Sequence, residues 1–167
     1  MSVASDPRID QIKAQIMALA AGDLTTRGAL SGLDDDLDAI IAGLNMLAED
    51  FRDREEAVLA DLVAQTNVVL STGGGAILRP ANRERLTQGG TVLYLHAAPA
   101  TLWERTRHSK HRPLLQAPDP LARVQELYAL RDALYREVAD LVVESDREQV
   151  SRLAHRLEQQ LRAAARA

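Results

Sequence analysis

Cysteine is absent from the 167 residues, which excludes disulfides and thiolate metal sites and points to a reducing cytoplasm. Lysine is nearly absent, with Lys13 and Lys110 the two in the chain. Neither stands in a Gly-x-x-x-x-Gly-Lys-Ser/Thr motif. The chain therefore shows no P-loop, in which curled backbone N–H groups cradle phosphates, a lysine reaches the β/γ-phosphates and a hydroxyl meets Mg²⁺. Aromatics are scarce: Phe51, Trp103, Tyr94, Tyr128 and Tyr135. The core is left to Leu, Val, Ile and Ala. No apolar run approaches the roughly 18 residues of a membrane span, and no signal-peptide pattern opens the chain. A net charge of −4 argues against non-specific binding to nucleic acid or anionic membranes. The four histidines, His96, His108, His111 and His155, share no ligand spacing, so no metal site is expected.

What is there falls into two halves. Residues 1–50 carry no strand signal. Asp6-Pro7 starts a helix, an acid at the cap followed by proline at the first helical position. Ile9, Ile12, Ile16 and Leu19 then follow a 3-4-3 spacing, a narrow seam of the coiled-coil type. Gly22 stops that helix, and Gly28 and Gly32 keep the connector loose. Asp34, Asp35 and Asp36 place negative charge at the start of a second helix. Its seam is Leu33, Leu37, Ile40, Leu44, Leu47 and Phe51. With no glycine or proline after Gly43 until Gly73, this helix is expected to run on through Gln65, more than about 30 residues in all. So narrow a stripe on two helices cannot bury itself alone.

Residues 51–167 alternate between strand and helix signals. Asn67–Ser71 is a continuous apolar, β-branched run, the pattern of a strand covered on both faces, and it ends in Gly73-Gly74-Gly75. A helix at Pro80–Gln88 leads to a second strand at Thr91–His96. Leu102–Arg107 is helical, 108–120 is a polar loop punctuated by proline, and Leu121–Ala139 is a helix. Leu141–Glu144 is a third strand and Glu148–Ala165 a closing amphipathic helix. Alternation of this kind predicts right-handed crossovers and a three-stranded parallel sheet near 67–72, 91–96 and 141–144.

Motifs in each half carry a resemblance. Leu19-Ala20-Ala21-Gly22-Asp23-Leu24, Asp36-Leu37 and Gly43-Leu44-Asn45-Met46-Leu47 resemble a HAMP module of bacterial sensors over residues 8–51. That resemblance implies a parallel homodimer joined through the N-terminal helices. Phe51-Arg52-Asp53-Arg54-Glu55, Gly73-Gly74-Gly75-Ala76, Arg112-Pro113-Leu114-Leu115 and Arg131-Asp132-Ala133-Leu134-Tyr135-Arg136 occur in the order and spacing of shikimate kinase, over residues 51–160. This second resemblance implies that Arg52 and Arg131 hold a carboxylate while Gly73, Gly74 and Gly75 approach hydroxyls. It also implies that Arg112 is a lid arginine over phosphate and that Arg147 lies near adenine. Guanidinium forks suit carboxylates, and glycines let backbone N–H groups approach a ligand.

The fold class expected is α/β: a HAMP-like hairpin at 1–50 joined to a truncated P-loop-kinase-like sheet at 51–167. Shikimate kinases carry the P-loop on their first strand and an Asp-x-Asp on the second, both ahead of the Phe-Arg motif. Neither is found here. The function expected from that absence is a catalytically inactive chimera or remnant, a dimerisation module fused to a shikimate-kinase-like portion, with no cofactor. Two alternatives stand beside it. One is an active shikimate kinase, which would require ATP and Mg²⁺. The other is a signalling component that binds a small carboxylic acid such as shikimate.

Overall fold

The computed structural model describes residues 6–20, 22–107, 119–146 and 149–164. Helix α1 spans Pro7–Ala20 and α2 spans Asp36–Val63. Asp6 accepts from the Arg8 backbone N–H at 2.9 Å, the cap expected beside Pro7. At the other end Gly22, with φ 76°, closes α1. The Gly22 N–H donates to the Leu19 carbonyl and the Asp23 N–H to the Ala18 carbonyl, the paired reverse bonds of a Schellman ending. Asp35 caps α2 by accepting from the Asp38 N–H. The helix ends at Val63, two residues short of the expected Gln65.

The starts of α1 and α2 lie together. Arg8 donates to Asp35 at 2.7 Å and to Asp38 at 3.1 Å, and further along Gln15 donates to Asn45 at 2.7 Å. The two helices are therefore parallel. Asn45 also exchanges two bonds with the backbone of Gly28, each 2.9 Å, which holds the connector against the helices. A Cβ at Gly28 would stand 2.5 Å from Ile41 Cγ2, so the connector can approach only without a side chain there. Ile12, Ile41 and Ala48 are buried in this packing.

Asp38 anchors the connector. It accepts from the Ser31 and Gly32 backbone N–H groups, the Ser31 hydroxyl and Arg8. The Ser31 backbone bond leads in holding its carboxyl far below the ordinary carboxylate range. A depressed folded-state pKa gives stability that is present above the unfolded value, about 3.9, and is lost as pH falls further. The hairpin should accordingly loosen below about pH 4. In Asp38→Asn the dependence of stability on pH between 4 and 2 should be shallower than in the wild type, read by urea melts at stepped pH.

The second half begins on the same α2. A single 3₁₀ turn, Ala76–Leu78, leads into α3, Pro80–Gly89, then β1, Leu93–His96, and α4, Pro99–Thr106. After these come α5, Pro120–Val138, β2, Leu141–Glu144, and α6, Val150–Ala164. β1 and β2 pair in parallel, with Leu93 opposite Leu141 and His96 opposite Glu144. Ala76, Ile77, Val124, Val138 and Val143 form the buried centre of this half. No helix among the described residues is long and apolar enough to cross a membrane.

The expected three-stranded sheet is corrected to two strands among the described residues. Asn67–Ser71 forms no strand, and Val69 is fully exposed. An apolar β-branched run has the propensity for a strand, but a strand exists only where a neighbour takes its N–H and C=O groups. Among the described residues none pairs with this run.

Candidate functional site

The loop that follows α2 brings Gly73–Gly75 between two helices. On one side is α2, whose Glu55 carboxylate would lie 3.6 Å from a Cβ at Gly73. On the other is α5. A Cβ at Gly74 would stand 3.1 Å from both Arg131 Nη1 and the Tyr135 hydroxyl. The absence of a side chain is thus what lets Gly74 touch both. Tyr135 donates to the Gly74 carbonyl at 2.9 Å, and Arg131 and Tyr135 share one face of α5 by their i, i+4 spacing. Gly75 has open space around it and opens the 3₁₀ turn.

Arg131 Nε is buried and has no hydrogen-bond partner. A buried donor left unpaired is costly, and native structures rarely keep one without a reason. Arg131 lines an open cleft of about 1060 Å³ together with Gly74, Tyr94, Tyr128, Asp132 and Tyr135. A guanidinium here is a ready receiver for an anionic oxygen, because charge-assisted bonds in a partly dry cleft are the strong ones.

Behind Arg131 lies a polar network carried by alternate residues of β1. Tyr94 stacks on Tyr135 with ring centres 4.8 Å apart and donates to Asp132 at 2.9 Å. Arg136 donates to the other Asp132 oxygen at 2.9 Å. Burial and the Asp132 carboxylate hold the Tyr94 phenol far above its ordinary pKa, so it remains a donor. For Asp132, burial pushes the carboxyl upward, but the bonds from Arg136 and Tyr94 outweigh it and the net shift is down. Two residues on, His96 is held by Glu144 at 2.6 Å and by the Tyr128 hydroxyl at 2.8 Å. This scaffold fixes the face of α5 that presents Arg131.

Arg52 is placed differently. Its guanidinium donates to Glu49, one turn earlier on α2, at 3.1 Å. Glu49 also receives Arg27 of the connector at 2.6 Å and Arg79, and Arg79 reaches Asp53 and Glu56, each at 2.7 Å. Gly74 and Arg131 are therefore brought together, while Arg52 sits in an ion-pair cluster that links the connector to the start of α3. Arg112 and Arg147 lie outside the described residues. Asp132 and Tyr135 belong to the motif that opens with Arg131, but the sequence assigns no role at the site to them, to Tyr94 or to His96. Their signals were present as Tyr94-x-His96 on a strand and Arg131-x-x-x-Tyr135 on a helix, but the strand register decides that they meet.

Comparison with known proteins follows the same residues. The family model for shikimate kinase matches residues 45–162. A shikimate kinase of Cupriavidus pinatubonensis is 52% identical over 113 residues, which are 68% of this chain and 59% of that protein. One of Neisseria meningitidis serogroup C is 56% identical over 109 residues, 64% of each chain. The solved shikimate kinase of Acinetobacter baumannii in complex with shikimate superposes with a TM-score of 0.66 at 37% identity, over 75% of this chain and 69% of that one. The chain thus spans about three fifths of the length of several curated relatives it matches. Identity at this level with proteins named as shikimate kinases overturns the expectation of an inactive chimera or remnant and favours the kinase alternative. That expectation leaned on the absence of the P-loop and of the Asp-x-Asp, whereas the family model matches residues 45–162, from the middle of α2 into α6. The chain belongs to the shikimate kinase family.

Proposed function

We propose that this chain serves the ATP-dependent phosphorylation of shikimate and supplies the side of the reaction that binds the acceptor. The observation that carries this reading is Arg131, whose Nε is buried and unpartnered and whose Nη1 is set against Gly74 in the lining of a cleft. The Acinetobacter baumannii relative, solved with shikimate, supports the choice of acid. In this reading Arg131 takes the carboxylate and Gly73, Gly74 and Gly75 leave room for hydroxyls. Arg52 joins Arg131 once it exchanges Glu49 for the ligand. Arg112 and Arg147 keep the phosphate and adenine roles that the resemblance implies.

The described residues do not fit Mg²⁺. Among the described residues no group of three acidic or histidine side chains could hold a metal ion, and the sequence has no P-loop hydroxyl beside a lysine. What the chain's own residues do is bind and orient: a clamped carboxylate fixes the acceptor hydroxyl in one position, which is the main protein contribution to phosphoryl transfer beyond charge stabilisation. The test is a thermal shift of the full chain with shikimate and with its methyl ester. Shikimate should raise the midpoint and the ester should not. Equal shifts, or none with either, would overturn the assignment.

A second reading concerns assembly. We infer that α1 and α2 form a HAMP-like unit, residues 1–50, that pairs in parallel with a second copy. The supporting observation is that Ile16, Ile40, Leu47 and Phe51, all seam positions, remain 45–48% exposed although the helices already pack on each other through Ile12, Ile41 and Ala48. The double variant Ile40→Asp, Leu47→Asp should convert a dimer to a folded monomer in sedimentation. A wild type that sediments as a monomer at micromolar concentration would rule this reading out.

A further inference from the structure

Glu49 serves three guanidiniums with two oxygens. Its Oε1 accepts from Arg79, while Oε2 accepts from Arg27 at 2.6 Å and from Arg52 at 3.1 Å. Arg27 and Arg52 therefore share one carboxylate oxygen, and Arg27 has the shorter bond. Two like charges drawn to one oxygen repel each other, so the closer one weakens the hold on the farther. The Arg27 bond also leads in holding the Glu49 carboxyl below its ordinary range, which keeps Glu49 ionised at neutral pH.

Arg27 is fixed by the connector between α1 and α2. Its Nη1 donates to the Leu24 carbonyl at 2.6 Å and to the Thr26 carbonyl at 3.2 Å. The next residue, Gly28, is bonded at both its N–H and its C=O by Asn45. Four residues before Arg27, Asp23 accepts from Arg123 of α5 at 3.3 Å. The connector thus meets α2 one turn from Arg52, and it meets the helix that carries Arg131.

Among the described residues the ion-paired cluster around Glu49 holds four guanidiniums, with Arg85 joining through Glu56, and three carboxylates. Guanidinium charge exceeds carboxylate charge by one. The Arg52 bond is the longest in the cluster, so Arg52 is the member most easily released to an incoming carboxylate.

We infer that Arg27 is a positioning residue for the acceptor site: by occupying Glu49 it leaves Arg52 available to the acceptor's carboxylate, and so makes acceptor affinity depend on the connector of the N-terminal hairpin. Arg27 acts through Glu49 and is given no contact with the acceptor. The inference rests on the reading that Arg52 joins in holding shikimate.

The test is calorimetry of the full chain with shikimate, the wild type beside Arg27→Gln, Glu49→Gln and the double variant. Arg27→Gln should weaken binding about threefold, because Glu49 then holds Arg52 harder, and Glu49→Gln should tighten it by about the same factor. With Glu49→Gln already in place, loss of Arg27 should have no further effect. Arg27→Lys keeps the charge and should recover most of the lost affinity. The ratios between variants should shrink as salt is raised, through screening of these part-exposed charges, whereas a packing defect would persist. Binding by Arg27→Gln equal to that of the wild type, or a loss that Glu49→Gln does not abolish, would overturn this inference and leave the acceptor reading standing. A wild type that binds no shikimate would overturn both.

Discussion

Replacing Arg131 with methionine should remove shikimate binding and leave the fold as stable as before or slightly more stable. A charged partner deleted from a buried pair costs about 2–5 kcal/mol of binding, and each 1.4 kcal/mol is about tenfold in affinity. A loss of at least about thirtyfold is therefore expected by calorimetry. Stability runs the other way because Nε is buried and unpartnered in the free protein. An unsatisfied buried donor costs about 1–3 kcal/mol, and methionine fills similar volume without it. A binding site that keeps a buried donor unpaired in readiness destabilises its own fold. Arg131→Lys should recover only part of the affinity, since an ammonium lacks the planar fork. A methionine variant that binds shikimate as the wild type does would show that the carboxylate sits elsewhere.

The second large effect belongs to Asn45. One side chain answers the Gly28 N–H, the Gly28 carbonyl and Gln15 Nε2, at 2.9, 2.9 and 2.7 Å. Leucine at this position would fit the apolar seam but leave those three groups without a partner. Gln15 is itself buried, and its Oε1 already has none. Loss of so many part-buried bonds should cost about 2–4 kcal/mol, concentrated in the hairpin. Trp103 in α4 reports on the other half. Helix loss by circular dichroism at a lower temperature than the Trp103 fluorescence change would confirm that the hairpin goes first. Coincident transitions at the wild-type temperature would show that Asn45 holds nothing.

The helices were legible because their ends are written in local chemistry. Asp6-Pro7, Gly22 and the Asp35 cap each act within one turn, and the observed bounds follow them. β1 and β2 were legible as short apolar runs between turn residues. Asn67–Ser71 carried the same signal and failed, since pairing is decided by what lies across the sheet and not by the run itself. The site divides in the same way. Gly74 and Arg131 could be found as motif residues, whereas Tyr94 reaches Tyr135 and Asp132 only through the packing of β1 on α5. The Glu49–Arg52 pair was within reach of the sequence by its i, i+3 spacing. The cluster around it is not legible there, because Arg27 and Arg79, which complete it, are distant in the chain.

The central claim is that Gly74 and Arg131 form the seat of the shikimate carboxylate. A nitrogen-15 NMR titration of the full chain with shikimate, following the Gly74 amide and the Arg131 Nε–H, tests it most directly. Both signals should move together along one saturating curve, and the Arg131 signal should sharpen as its unpartnered donor finds an acceptor. Shifts confined to residues remote from the 73–75 loop, or an Arg131 signal unmoved at saturation, would contradict the account.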